Sequence, residues 1–183
     1  MEEIFCKEIS DLHNWLKLNY KREKGVWLVF LKGKDRTMSW EDIVKELLCF
    51  GWIDSKAGSV DSTKSKIWIS PRKPNSGWSA INKINIENLI KEGRMQKAGL
   101  EVVEQAKKSG AWNILDSVER LEVPTDLEKK LKSYPNAYKN FTNFPKSTIR
   151  ATLQWILMAK TESTRESRIL KTAELAEYNI RAV

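Results

Sequence analysis

Residues 64–79 read KSKIWISPRKPNSGWS. Four basic residues, two tryptophans, two prolines and a glycine share these sixteen positions. The first half alternates. Lys64, Lys66, Trp68 and Ser70 point one way, and Ser65, Ile67 and Ile69 the other, which is the period of a strand with one buried face. Pro71 and Pro74 end that strand, because proline fixes its own backbone and offers no N–H to a ladder. A helix then starts near Ser76 or Ser79. The isoleucine face should pack inward, leaving two lysines and a tryptophan on the opposite face.

Working outward, WIDSKAGSV before this segment predicts the other arm of a hairpin, with Asp61 and Ser62 near its turn. VWLVFL at 26–31 is apolar on both faces and predicts a central strand. Ser10 precedes a helix whose face is Leu12, Trp15, Leu16 and Asn19, and Gly25 is its stop. Ser39 and Asp42 make a capping box for a helix carrying Ile43, Val44, Leu47 and Leu48. Helices are also predicted through 79–92 and through 94–109, the latter with Ala98, Val102, Val103 and Ala106 on one face. Beyond Pro124 the pattern is helical throughout. Thr125 with Glu128, and Ser163 with Glu166, give capping boxes. Ile149, Thr152, Leu153 and Ile156 form one buried face, and Ile169, Ala173, Ala176 and Ile180 another. The expected fold is α+β: a small, mainly antiparallel sheet with helices over residues 1–112, a connection at 113–123, and a helical region over 124–183.

The chain has 183 residues and a net charge of +8. The excess is not spread evenly. Residues 1–63 carry net −1, residues 64–97 net +6, and residues 98–183 net +3. Such a cluster favours anionic partners: nucleic acid, a phosphorylated ligand or an anionic lipid surface. Arginine forks onto phosphate, lysine acts as a mobile charge, and an exposed tryptophan stacks on a base. The candidate anion-binding residues are therefore Lys64, Lys66, Trp68, Arg72, Lys73, Trp78 and Lys83. The same residues also suit a purely architectural corner, with Trp78 opening the core face of its helix and Trp68 covered by the loop.

Catalytic signals are weak. The single histidine, His13, lies on an amphipathic helix. No Ser-His-Asp set, Walker A sequence or GxGxxG is present, and neither the cysteines nor the carboxylates have metal spacing. Asp54 and Asp61 flank the hairpin and read more readily as strand-end and turn residues than as an acid pair. No catalytic residue, metal or cofactor is assigned, which points away from an enzyme. Cys49 reads as a buried free thiol. The acidic start MEEIFCKEIS and the lack of an apolar run of roughly 20 residues predict a cytoplasmic chain without a transmembrane segment. Oligomeric state is not readable.

GWIDS at 51–55, SPRKPNSGWSAIN at 70–82, LIKEGRM at 89–95, AGL at 98–100 and WILMAKTESTRESRI at 155–169 occur in an order and spacing that resemble the bacteriocin-protection family, also labelled YdeI/OmpD-associated. The resemblance extends over nearly the whole chain, and the label fits residues 124–180 best. It implies a bacterial protein associated with resistance to bacteriocins and cationic antimicrobial peptides, and it brings no catalytic residues. Three readings follow: a non-enzymatic protection protein acting through an anionic partner, a nucleic-acid-binding protein using the same face, or an enzyme on a small anionic substrate.

Overall fold

The computed structural model describes residues 2–183. The chain divides into two compact units, Met1–Ile114 and Leu115–Val183.

The first unit is built on a mixed four-stranded sheet in the order β1-β2-β4-β3, formed by β1 (Glu3–Phe5), β2 (Val26–Leu31), β3 (Trp52–Ser59) and β4 (Lys64–Pro71). β1 runs parallel to β2, and the other two pairings are antiparallel. Ile67 and Ile69 of β4 are fully buried, as the alternation predicts. Each contributes about 1.5–3 kcal/mol by leaving water. β2 lies between β1 and β4 in the sheet. Val26, Leu28 and Phe30 enter the core, and Trp27, Val29 and Leu31 face the other way.

Four helices share the core with these inward residues: α1 (Ile9–Asn19), α2 (Trp40–Cys49), α3 (Ala80–Lys91) and α4 (Lys97–Ser109). The Ser39–Asp42 box forms as read, each side chain meeting the other's backbone N–H. Ser79 caps α3 by accepting from the Asn82 N–H. α1 starts earlier than Ser10: Glu8 is its cap, boxed with Asp11, and it ends at Asn19, well before Gly25. KGKDRT contains a 3-10 turn at Gly33–Asp35. β1 is an element the sequence reading missed, since three residues carry no periodic signal.

The second unit is helical: α5 (Asp116–Glu119), α6 (Thr125–Lys132), α7 (Ala137–Asn143), α8 (Lys146–Leu157) and α9 (Glu162–Glu177). Its core holds Leu127, Leu131, Phe141, Leu153, Ile156, Ile169 and Ala173. Two caps differ from expectation. Pro124 precedes α6, so Thr125 is already helical and makes no box. α9 is capped by Thr161, which accepts from the Thr164 N–H, two residues before Ser163. Ile180 lies past the end of α9 and is half exposed.

Candidate functional site

The helices of the first unit pack on one face of its sheet. The β2–β4 register assembles the other. Trp27 stands opposite Trp68, Val29 opposite Lys66, and Leu31 opposite Lys64, with Phe5 of β1 beside Val29. The two indoles meet edge to face, 5.5 Å between centroids at 76°. That is the geometry the aromatic quadrupole favours. Lys66 Nζ lies 5.0 Å above the Trp27 ring and 2.7 Å from Glu3 Oε1. Lys64 Nζ lies 5.4 Å from the Phe5 ring centroid, and Phe5 is 53% exposed. The face therefore alternates cations with rings, each cation held over a ring.

This face runs into a depression of about 440 Å³ bounded by Trp68, Gly25, Arg22, Lys24 and Glu2. Gly25 is needed there: a Cβ would lie 2.4 Å from the Ile69 carbonyl oxygen and 2.7 Å from the Trp68 ring. Arg22 forks onto the Glu2 carboxylate, and that hydrogen bonding holds the carboxyl below its ordinary range.

Arg72 and Trp78 lie elsewhere. Both are buried, with the guanidinium carbon 3.8 Å from the Trp78 centroid. Trp78 packs on Trp112 at 5.1 Å, and Lys83 and Lys107 reach the Trp112 ring at 5.5 and 5.1 Å. Arg72 Nη1 donates to the Gly77 carbonyl at 2.9 Å, while Nε and Nη2 have no acceptor. Burial lowers the guanidinium to about 10 against the opposing pull of the Asp54 charge, so it stays cationic at neutral pH. Lys73 is exposed in the loop.

The seven predicted residues thus form separate groups. Lys64, Lys66 and Trp68 come together on the sheet face. Arg72, Trp78 and, through Trp112, Lys83 form a cation–ring stack at the corner. Sequence reasoning missed Phe5, Trp27, Arg22 and Lys24 as neighbours of the first group. Trp27 sits at an outward position of a strand apolar on both sides, so its exposure follows only from the register. Asp61 is a turn residue, accepting from the Thr63 and Lys64 N–H groups, and Asp54 stands apart from it. His13 Nδ1 is 2.8 Å from the buried carboxylate of Glu46, which Arg94 also approaches at 3.4 Å.

Residues 4–102 match the model of a domain of unknown function (DUF8412). Residues 120–179 match the model described as bacteriocin-protection, YdeI or OmpD-associated. The chain belongs to the DUF8412 family, and residues 120–179 are similar to the bacteriocin-protection, YdeI or OmpD-associated family. No curated protein and no solved structure matches it.

The two matches divide the resemblance seen in the sequence. SPRKPNSGWSAIN falls in the first match and WILMAKTESTRESRI in the second. Within residues 120–179, that second segment joins α8 to α9. Trp155 packs under Arg168, whose guanidinium carbon is 4.9 Å from the ring and whose Nη1 donates to the Trp155 carbonyl. Arg165 forks onto Asp126 at 2.8 and 3.0 Å and ties α9 to α6. Among the described residues, no helix is long and apolar enough to cross a membrane, and no group of three or more His, Cys, Asp or Glu is placed to hold a metal ion.

Proposed function

We propose that this is a non-enzymatic, cytoplasmic protein of the bacteriocin-protection type whose N-terminal unit binds an anionic partner across the outward sheet face, and that the partner is a single-stranded nucleic acid. The observation that carries this reading is the cross-strand pair Trp27–Trp68, flanked by Phe5, Lys64 and Lys66. Rings on a sheet accept unstacked bases without regard to sequence, and neighbouring lysines follow the phosphates. Lys24 continues the positive edge beyond Trp68, next to the Arg22–Glu2 pair. A net charge of +8 disfavours direct capture of a cationic peptide, so protection is indirect. Lys73 and Lys83 contribute at most long-range attraction, and Arg72 and Trp78 serve the corner.

The test is a tryptophan-fluorescence titration with a single-stranded oligonucleotide at several salt concentrations. Binding should weaken as salt rises, and Lys64→Ala/Lys66→Ala should lower the logarithmic salt slope by about 0.7 for each phosphate no longer neutralised. Trp68→Ala should cost about 1–3 kcal/mol of affinity, the usual worth of one stacked base. Arg72→Ala should leave binding unchanged at temperatures where it is folded. Binding to anionic lipid vesicles without binding to the oligonucleotide would replace nucleic acid by a membrane surface. Binding to neither would remove the site.

A further inference from the structure

On the helix side of the same sheet is a cleft of about 580 Å³ that the sheet-face reading does not use. Two helix starts meet there. α2 contributes Trp40, Glu41 and Val44, and α3 contributes Ile81, Asn82 and Asn85, with its cap Ser79. β3 contributes Asp54. Trp40 is 40% exposed and lines the cleft beside Asp54. Asn85 is only 5% exposed, yet it lines the cleft. Its carboxamide carries both a donor and an acceptor to the cleft wall.

The charges around the cleft are balanced and favour no ion of either sign. Two carboxylates, Asp54 and Glu41, border the cleft, so it offers an anion no net positive charge of side chains. Cations meet the positive end of α3, whose first turn holds no acid of its own. The carboxylates are also already answered: Lys45 Nζ is 2.7 Å from Glu41, and the Arg72 charge acts on Asp54. What remains is a half-buried acceptor, two carboxamides that both donate and accept, a hydroxyl and an apolar ring wall. A carboxylate beside carboxamides matches adjacent hydroxyl groups, and an indole face takes the C–H side of a sugar ring.

We infer that this cleft binds a neutral ligand presenting a vicinal diol on a sugar ring, either a free saccharide or the ribose of a nucleoside. Asp54 accepts from the two hydroxyls, Asn82 and Asn85 complete the hydrogen bonding, and Trp40 forms the wall. The site lies on the other face of the sheet from the proposed nucleic-acid surface, so oligonucleotide binding and diol binding stand or fall separately.

The test follows the Trp40 indole N–H resonance by NMR, assigned with Trp40→Phe. The probes are methyl α-D-glucopyranoside, adenosine and 2′-deoxyadenosine, each at millimolar concentration. Saturable movement of the Trp40 signal by the glucoside identifies a saccharide source. Movement by adenosine, with 2′-deoxyadenosine at least about tenfold weaker, identifies a ribose source. Asp54→Asn should weaken either by about tenfold or more, while the indole signals of the other tryptophans stay in place and report an intact fold. Equal binding of adenosine and 2′-deoxyadenosine would mean base recognition and would overturn the diol assignment. So would stronger movement by inorganic phosphate or lysine methyl ester, or no movement with any of the three probes.

Discussion

The guanidinium of Arg72 lies 3.8 Å from the centroid of Trp78, with both side chains out of water. Only Nη1 has an acceptor. A buried cation with two unpartnered nitrogens is costly, and the ring face together with the nearby Asp54 charge offsets that cost. Proline on each side sets the path of the chain so that the stack can close. Arg72→Ala should destabilise the N-terminal unit by about 2–4 kcal/mol through the lost stack and the void beside Trp78. Arg72→Lys should recover little, since an ammonium has no planar face to lay on an indole. Urea unfolding followed by tryptophan emission measures this directly, because seven of the eight tryptophans lie in the first unit.

A second close approach sits where α4 meets the end of α2. A Cβ at Gly99 would stand 2.3 Å from the Cys49 carbonyl oxygen and 2.8 Å from that of Leu48. These are backbone atoms and cannot swing aside. Gly99→Ala gains up to about 1 kcal/mol of helix propensity. It must still separate the helices, at about 1–3 kcal/mol or more. Net destabilisation is expected, seen as a lower Tm. An unchanged or raised Tm would mean that the crossing is loose.

How much of this was legible differs by level. The Ile67/Ile69 face, the Ser39–Asp42 cap and the helical C-terminal region were readable, because period and capping chemistry are local. The neighbours of Trp68 were not. Trp27 lies 41 positions away in sequence and meets it only through strand register. β1 was invisible for lack of length. The Arg72–Trp78–Trp112 stack was hidden differently: charge and ring content cannot distinguish a ligand surface from an internal stack, and burial alone separates them. The missed caps of α6 and α9 have different causes. Pro124 sets the start of α6 and leaves Thr125 inside the helix, while at α9 three hydroxyl residues stand close together and Thr161 is the one that caps.

Both cysteines are buried, and burial pushes each thiol up to about 12. The thiolate is the reactive form, so the native protein should be nearly inert to a thiol reagent at mildly alkaline pH. Two thiols should react at once when denaturant is added. Rapid native labelling of either would show that α1 or the end of α2 opens far below the global unfolding energy.

Asp54 supplies a pH prediction of definite sign. Its carboxyl is raised above the ordinary value of 3.8, first by desolvation, against the pull of its backbone hydrogen bond, the Arg72 charge and the Trp40 indole. The native state therefore holds this proton longer than the unfolded state does. As pH rises from about 3.8 through the raised native value, the unfolded chain binds fewer protons at this site, and stability falls. Above that window the loss is complete and constant. Asp54→Asn removes the charge and keeps the shape. The variant should match the natural chain in strong acid and exceed it at neutral pH, by under about 1 kcal/mol for a half-buried group that water still screens. Urea midpoints at pH 3 and pH 7 decide it. A variant less stable at pH 7 would mean that the Asp54–Arg72 attraction outweighs desolvation, and that the carboxylate serves the corner rather than standing ready for a ligand.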